Sequence, residues 1–254
     1  ATDRAPADPD ARKNEYYGDQ RGYAVRLGVA NIELDWESDI TWEEAKRVSL
    51  LKDRSGKYPL SVSTIREFGA LHRTVRPFED DLEPDPEPAR LFAEEIDRRL
   101  ATSTGKDVYI YVHGYKVTFQ NPILVAAELW HFLGYQGAFI AYSWPSTPRT
   151  FAYTSDLEDA ANSGRGLRAL ILEIAASTEA ESIHVIGYSA GTRVVTRALA
   201  DLGLLGYFLH EQDIEQRTRL GNVILIGSDV DRGILAGQLL DGALRIPKSL
   251  TIYQ

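Results

Sequence analysis

A five-residue turn, Gly187-Tyr188-Ser189-Ala190-Gly191, constrains this chain more than any other stretch. Before it comes the apolar run Ile183-His184-Val185-Ile186, short and β-branched, which reads as a buried strand. After it, Val194, Val195, Ala198 and Leu199 recur at helical spacing, with Gly203 available as a stop. A serine that turns a strand directly into a helix sits in a strained backbone conformation, with its hydroxyl pushed out of the sheet's edge. Side chains at 187 and 191 would collide across so tight a turn, so glycine suits both. The helix that follows aims its N-terminal amides, that of Ala190 first, at the place where an oxyanion would form. Strand, G-x-S-x-G, helix is therefore the setting of a nucleophilic Ser189. The plainer alternative is a glycine-rich turn in which Ser189 caps the helix.

Composition narrows the chemistry. The 254 residues are 44% hydrophobic, enough for one α/β domain to bury a full core. A net charge of −9 argues against nucleic acid or anionic membrane as the main partner, since both call for a basic face. No apolar run reaches the length of a membrane span. With no cysteine, thiolate metal sites, disulfides and thiol catalysis are excluded. The five histidines, at 72, 113, 131, 184 and 210, form no His-x-x-x-His pair, so a metal hydrolase is not expected, and hydrolysis at a serine would need no cofactor. A start at Ala1 and the lack of cysteine favour an exported protein, periplasmic, secreted or formerly lipid-anchored. Nothing in the sequence explains why methionine is missing.

Taken in order, residues 1–20 are polar and rich in Pro and Asp, and read as a mobile or extended arm. Tyr23 to Leu34 alternates as an outer strand, and Val62 to Val75 reads as a strand pair. Residues 21–80 are thus expected to be antiparallel strands leading into the main sheet. Thr41-Trp42-Glu43-Glu44 has capping-box form. The acidic, Pro-rich Leu82–Pro88 reads as a loop before a helix, whose apolar stripe is Ala89, Phe92, Ala93, Ile96 and Leu100.

From there strands and helices alternate. The expected strands are 107–112, 138–143, the run before Ser189, 222–227 and 250–254. Helices are expected from the Asn121-Pro122 start, from the Ser155–Glu158 capping box and over 234–240. Repeated strand–helix units imply a mostly parallel sheet with helices on both faces, its ligand crevice at the carboxyl ends of the strands. The whole of 21–254 is expected to form one such domain.

Val108-Tyr109-Ile110-Tyr111-Val112-His113-Gly114-Tyr115 is the second informative stretch, a strand that ends in His-Gly two units before the Ser189 strand. The loop after such a strand is where a second oxyanion donor belongs. Gly114 would let the backbone come close to a substrate, and the Tyr115 amide would join that of Ala190. Losing one such donor typically costs ~3 kcal/mol of transition-state stabilisation. The His113 imidazole is expected to brace this loop rather than act as a base.

Four segments together, 111–115, Tyr142-Ser143-Trp144-Pro145-Ser146, Tyr153 with Asp156, and Ile186 to Arg193, carry a resemblance. In order and spacing they resemble a bacterial family of α/β-hydrolases of unknown function, related to serine esterases and lipases, over about Phe78 to Gln254. The resemblance implies the α/β-hydrolase fold and a Ser-His-Asp hydrolase. The family's His-Ser-Met-Gly-like elbow is Tyr188-Ser189-Ala190-Gly191 here, which keeps the serine and both glycines. His113, Gly114, Trp144 and Tyr188 are expected to line the substrate pocket, although Trp144 and Pro145 would equally suit a rigid packed corner. Lys116 is expected to be a solvated loop charge.

The usual chain order is Ser, then Asp or Glu, then His. After Ser189 the only histidine is His210, in a helical insertion that mounts a base poorly. Asp229 and Asp231 follow strand 222–227, which leaves Asp229 as the fallback acid. The commoner acid position follows strand 250–254. The resemblance likewise implies an Asp-bearing loop and a late histidine, expected beyond Gln254. The function expected is hydrolysis of a small-molecule carboxylic ester through an acyl-enzyme on Ser189. The alternatives are acyl transfer, amide or thioester cleavage at the same serine, and a non-catalytic binding protein on the same fold.

Overall fold

The computed structural model describes residues 1–8, 16–34, 41, 43, 59–74, 85–147 and 153–254, the side chains of 153–157 excepted. Most of the Thr41–Glu44 capping box, the start of the Leu82–Pro88 connector and the side chains of Tyr153 and Asp156 lie outside the described residues.

Five parallel strands form the centre: β4 (Asp107–Val112), β5 (Ala138–Tyr142), β6 (Ser182–Tyr188), β7 (Leu220–Ile226) and β8 (Ser249–Tyr253), in the spatial order β5-β4-β6-β7-β8. Their apolar residues explain the pairing. Val108, Ile110 and Val112 of β4, Ile183 and Val185 of β6, and Val223 and Leu225 of β7 are all buried. Each such side chain withdrawn from water contributes roughly 1.5–3 kcal/mol.

Of the helices, α1 (Glu87–Leu100) buries the expected stripe of Ala89, Phe92, Ala93, Ile96 and Leu100. The others are α2 (Asn121–Phe132), α3 (Tyr153–Ser177), α4 (Gly191–Leu205), α5 (Glu211–Thr218) and α6 (Arg232–Leu240). In α2 the cap position falls to Gln120, whose side chain does not cap the helix, and Asn121 is already helical. Chain direction across the sheet reverses once. The chain passes from β4 outward to β5, then returns past β4 to β6 and proceeds to β7 and β8. Right-handed crossovers then put α2 on one face of the sheet and α3, α4 and α6 on the other.

The N-terminal strands are antiparallel as expected, but they do not lead into the central sheet. β1 (Thr2–Pro6), β2 (Tyr17–Leu34) and β3 (Leu60–Ala70) make a separate antiparallel sheet of order β1-β2-β3 and do not extend the central one. Among the described residues a single bridge, Thr2 to Ser143, links the two sheets. The region expected as a strand pair from Val62 is one strand followed by a 3-10 turn at His72–Thr74. The Leu71 N–H donates to the Val25 carbonyl, and the Thr74 hydroxyl oxygen accepts from Val25 N–H, so β2 itself fastens the turn. Residues 1–20 include all of β1 and the start of β2, with Thr2, Asp3 and Arg4 buried.

Candidate functional site

The reversal in strand order lies between β4 and β6, and crevices for ligands form at such points, outside the carboxyl ends of the strands. β4 ends there in His113-Gly114 and β6 ends in Tyr188-Ser189. Val112 pairs with Gly187, so the two loop starts sit side by side.

Ser189 adopts φ of +49°, the left-handed region that a side-chain-bearing residue occupies only under constraint. Three local bonds hold it there. Its N–H donates to the Ile226 carbonyl at the end of β7 (2.9 Å). Its carbonyl accepts from Thr192 N–H (2.9 Å) and from the Thr192 hydroxyl (2.6 Å). The helix cap position is taken by Ala190, with no side-chain cap bond, so the Ser189 hydroxyl is not spent on capping. The first N–H groups of α4, which a helix cannot satisfy internally, start at this point.

The glycines are accounted for by close approach. A β-carbon on Gly191 would lie 2.3 Å from the His113 carbonyl oxygen and 2.5 Å from that of Val112. The obstacle is therefore the end of β4, not residue 187 across the turn. At Gly187 the neighbours do belong to the turn and helix, with Val195 Cγ2 at 3.0 Å and Thr192 Cα at 3.3 Å. A β-carbon on Gly114 would lie 3.0 Å from Ser189 Cβ and 3.2 Å from the Tyr188 carbonyl oxygen. The main chain leading into the Tyr115 amide thus runs directly against the serine. Lys116, next but one, has φ of +61° and carries its ammonium 5.7 Å from the Tyr115 ring.

Two expected pocket residues do not line a pocket. Trp144 is 0% exposed and His113 is 1% exposed. Their rings stack with centroids 5.2 Å apart, the indole N–H donates to the His113 carbonyl (2.7 Å), and His113 Nε2 lies 3.1 Å from the Trp144 carbonyl. His113 Nδ1 faces the Gly114 carbonyl at 2.7 Å. Burial, with help from the Arg4 charge, pushes the imidazole down to about 3, so it is uncharged at neutral pH. This pair braces the loop from beneath, because flat rings stacked behind the strand ends fill the core rather than the crevice. Tyr188, by contrast, is half exposed beside the nucleophile.

Asp229 Oδ1 accepts from Arg193 Nε at 3.2 Å, and the Arg193 guanidinium also donates to the Asp229 carbonyl. With the Ser228 hydroxyl donating to Thr192 (3.1 Å), the loop after β7 is tied to the first turn of α4. Asp231 caps α6, its carboxylate accepting from Gly233 N–H (2.8 Å) and Ile234 N–H (3.1 Å).

Among the described residues no histidine is positioned to take the Ser189 proton. His113 is locked against carbonyls. His184 lies within β6, its Nδ1 accepting from Asn222 N–H and its ring stacked on Tyr109. His131, near the end of α2, contacts the Tyr135 hydroxyl. His72 is in the turn after β3. His210 precedes α5 and comes after the far end of α4, a helix of 15 residues and about 22 Å that starts at the elbow.

Sequence reasoning missed the residue that joins the N-terminal strand to this site. Arg4 is 1% exposed, and its guanidinium donates to Val117 O (2.8 Å), Gly18 O (2.9 Å), Ser146 O (3.5 Å) and Ser143 Oγ (3.1 Å). A lone arginine in a Pro/Asp-rich segment gives no local signal of this. A cavity of about 160 Å³ lies elsewhere, between β2, α1, α2 and β5, walled by Leu27, Phe92, Ile96, Trp130 and Ile140, and the elbow takes no part in it. Among the described residues no helix is long and apolar enough to cross a membrane.

A protein-family model described as "Alpha/beta hydrolase of unknown function (DUF900)" matches residues 89–254, well over half of the chain. The match starts inside α1, later than the Phe78 suggested by the motifs, and leaves β1 to β3 outside it. No curated protein matches the chain.

Proposed function

The chain belongs to this family of alpha/beta hydrolases, and from that premise we propose that it hydrolyses small-molecule carboxylic esters through an acyl-enzyme on Ser189. The observation that carries the reading is the pairing of a left-handed Ser189 at the head of α4 with a Gly114 main chain so close that a β-carbon on it would lie 3.0 Å from Ser189 Cβ. In this reading a base takes the hydroxyl proton and Oγ bonds to the ester carbonyl carbon. The Ala190 and Tyr115 N–H groups hold the oxygen that becomes negative. Collapse of the tetrahedral adduct breaks the C–O bond to the alcohol, which leaves with the proton. Water then repeats the sequence on the acyl-enzyme and releases the acid. Tyr188 is the side chain best exposed to meet the substrate beside the serine.

The Asp229 carboxylate, engaged by Arg193, serves in this reading to hold the loop after β7 and not to orient a histidine. The nucleophile and the oxyanion donors carry the proposal by themselves, since none of the five histidines stands beside Ser189. The alternative reading is that the crevice binds a ligand without turnover.

Fluorophosphonate labelling followed by peptide mass spectrometry separates the two. The expected result is one adduct, on Ser189, lost in Ser189→Ala together with ester hydrolysis. An unlabelled wild-type protein whose biological activity survives Ser189→Ala would favour binding.

A further inference from the structure

We infer that Arg4, from a strand outside the hydrolase family match, is a positioning residue that holds the loop bearing the Tyr115 oxyanion donor. The inference rests on the reading of Ser189 and Tyr115 just given. The loop from Gly114 to Phe119 joins β4 to α2, and two polar anchors fix its middle. The Arg4 guanidinium donates to the Val117 carbonyl at 2.8 Å. On the same residue, Val117 N–H donates to Ser146 Oγ at 3.1 Å, and that hydroxyl lies 3.1 Å from the Val117 carbonyl. Val117 is two residues from the Tyr115 amide, with the left-handed Lys116 between them. Any shift of Val117 is therefore transmitted to Tyr115 through a backbone with little freedom to absorb it.

Arg4 reaches further than this one bond. Its other donors hold Ser143 Oγ and the Ser146 carbonyl, on the segment after β5 that also carries Trp144. Trp144 in turn grips the His113 carbonyl at the end of β4. One planar cation thus joins β1, the start of β2 through Gly18, the post-β5 segment and the oxyanion loop. A lysine offers a single point of donation and could not keep this fork of directions. Placing a guanidinium where only 1% of the residue is exposed carries a large desolvation cost, which such a set of acceptors offsets. A hydrophobic residue in the same space would leave those acceptors without their donor, so the arginine does more than fill the core: it fixes the loop's position.

The test compares wild type, Arg4→Lys, Arg4→Ala and Ser189→Ala, as whole proteins, with p-nitrophenyl butyrate as probe. Active sites are counted by fluorophosphonate titration, so that partial unfolding does not pass as slow turnover. For Arg4→Ala the expected result is a kcat about 10²-fold lower per active site with KM within about twofold, because a donor displaced by an ångström loses transition-state binding only. Arg4→Lys should recover part of that loss. Amide hydrogen exchange, which needs no turnover, should rise at least tenfold in peptides covering 114–119 in Arg4→Ala and stay unchanged across 182–188.

Unchanged exchange over 114–119, or exchange that rises while kcat holds, would overturn the inference. Wild type with no Ser189-dependent hydrolysis would instead overturn the esterase reading and with it the catalytic role of Arg4. Exchange would then still decide whether Arg4 holds the loop.

Discussion

Ser189 is held at φ of +49° by neighbours on both sides, and the conformation is a local cost that the surrounding bonds impose. A left-handed residue with a β-carbon is disfavoured by roughly 1–2 kcal/mol relative to glycine, which has no such penalty. Ser189→Ala and Ser189→Gly both remove the hydroxyl, and only the second relieves the strain. Urea denaturation should find Ser189→Gly more stable than Ser189→Ala by about 1 kcal/mol, with both inactive toward esters. Equal stability would mean that the elbow is relaxed as it stands. The residues of this corner were legible in the sequence because their signals are local: two glycines, a serine, and apolar periodicity changing from two to about 3.6. Arg4, Ser143 and Ser146 were not legible. Their partners lie about 140 residues apart in the chain, and no spacing rule connects them.

At the scale of elements, alternation of apolar runs and amphipathic stretches fixed the order of the central strands and helices, while the ends depended on individual bonds. The Asn121 cap failed because the chain turns one residue earlier, at Gln120. Asp231, expected only as a carboxylate near a strand end, proved to be the cap of α6. That helix has no fully buried residue, so its first turn depends on the cap more than on packing. Asp231→Ala leaves two N–H groups without their acceptor. It should cost about 1 kcal/mol, seen as faster hydrogen exchange over 232–240, with ester turnover within twofold of wild type. A drop in kcat of a hundredfold or more would make Asp231 the acid of the site and displace the capping account.

At the scale of the molecule, the least legible part is the N-terminal sheet, whose Pro/Asp-rich beginning reads as an arm yet runs buried beside the end of β5. Its burial has a consequence for acid stability. Burial raises the Asp3 carboxyl to about 6 from an ordinary 3.8. The stability Asp3 contributes by holding its proton in the folded state is complete below pH 3.8 and is lost as pH rises through 6. His113 acts in the opposite sense. Its imidazole falls to about 3 from 6.5, so between those values the unfolded chain binds a proton that the folded one does not, and stability rises as pH rises from 3 to 6.5. From pH 3.8 to 6 the two proton differences oppose each other and nearly cancel. Asp3→Asn removes one side of the balance. At neutral pH the variant should be more stable than wild type by up to ~3 kcal/mol, since two pH units correspond to about that much. The gap should close toward pH 4 as wild-type Asp3 takes up its proton, leaving the His113 contribution no longer offset by Asp3 in the variant. Urea titrations of both proteins at pH 4, 5, 6 and 7 would measure it. A gap that stays constant with pH would show that the Asp3 carboxyl ionises normally and that β1 does not shield it from water.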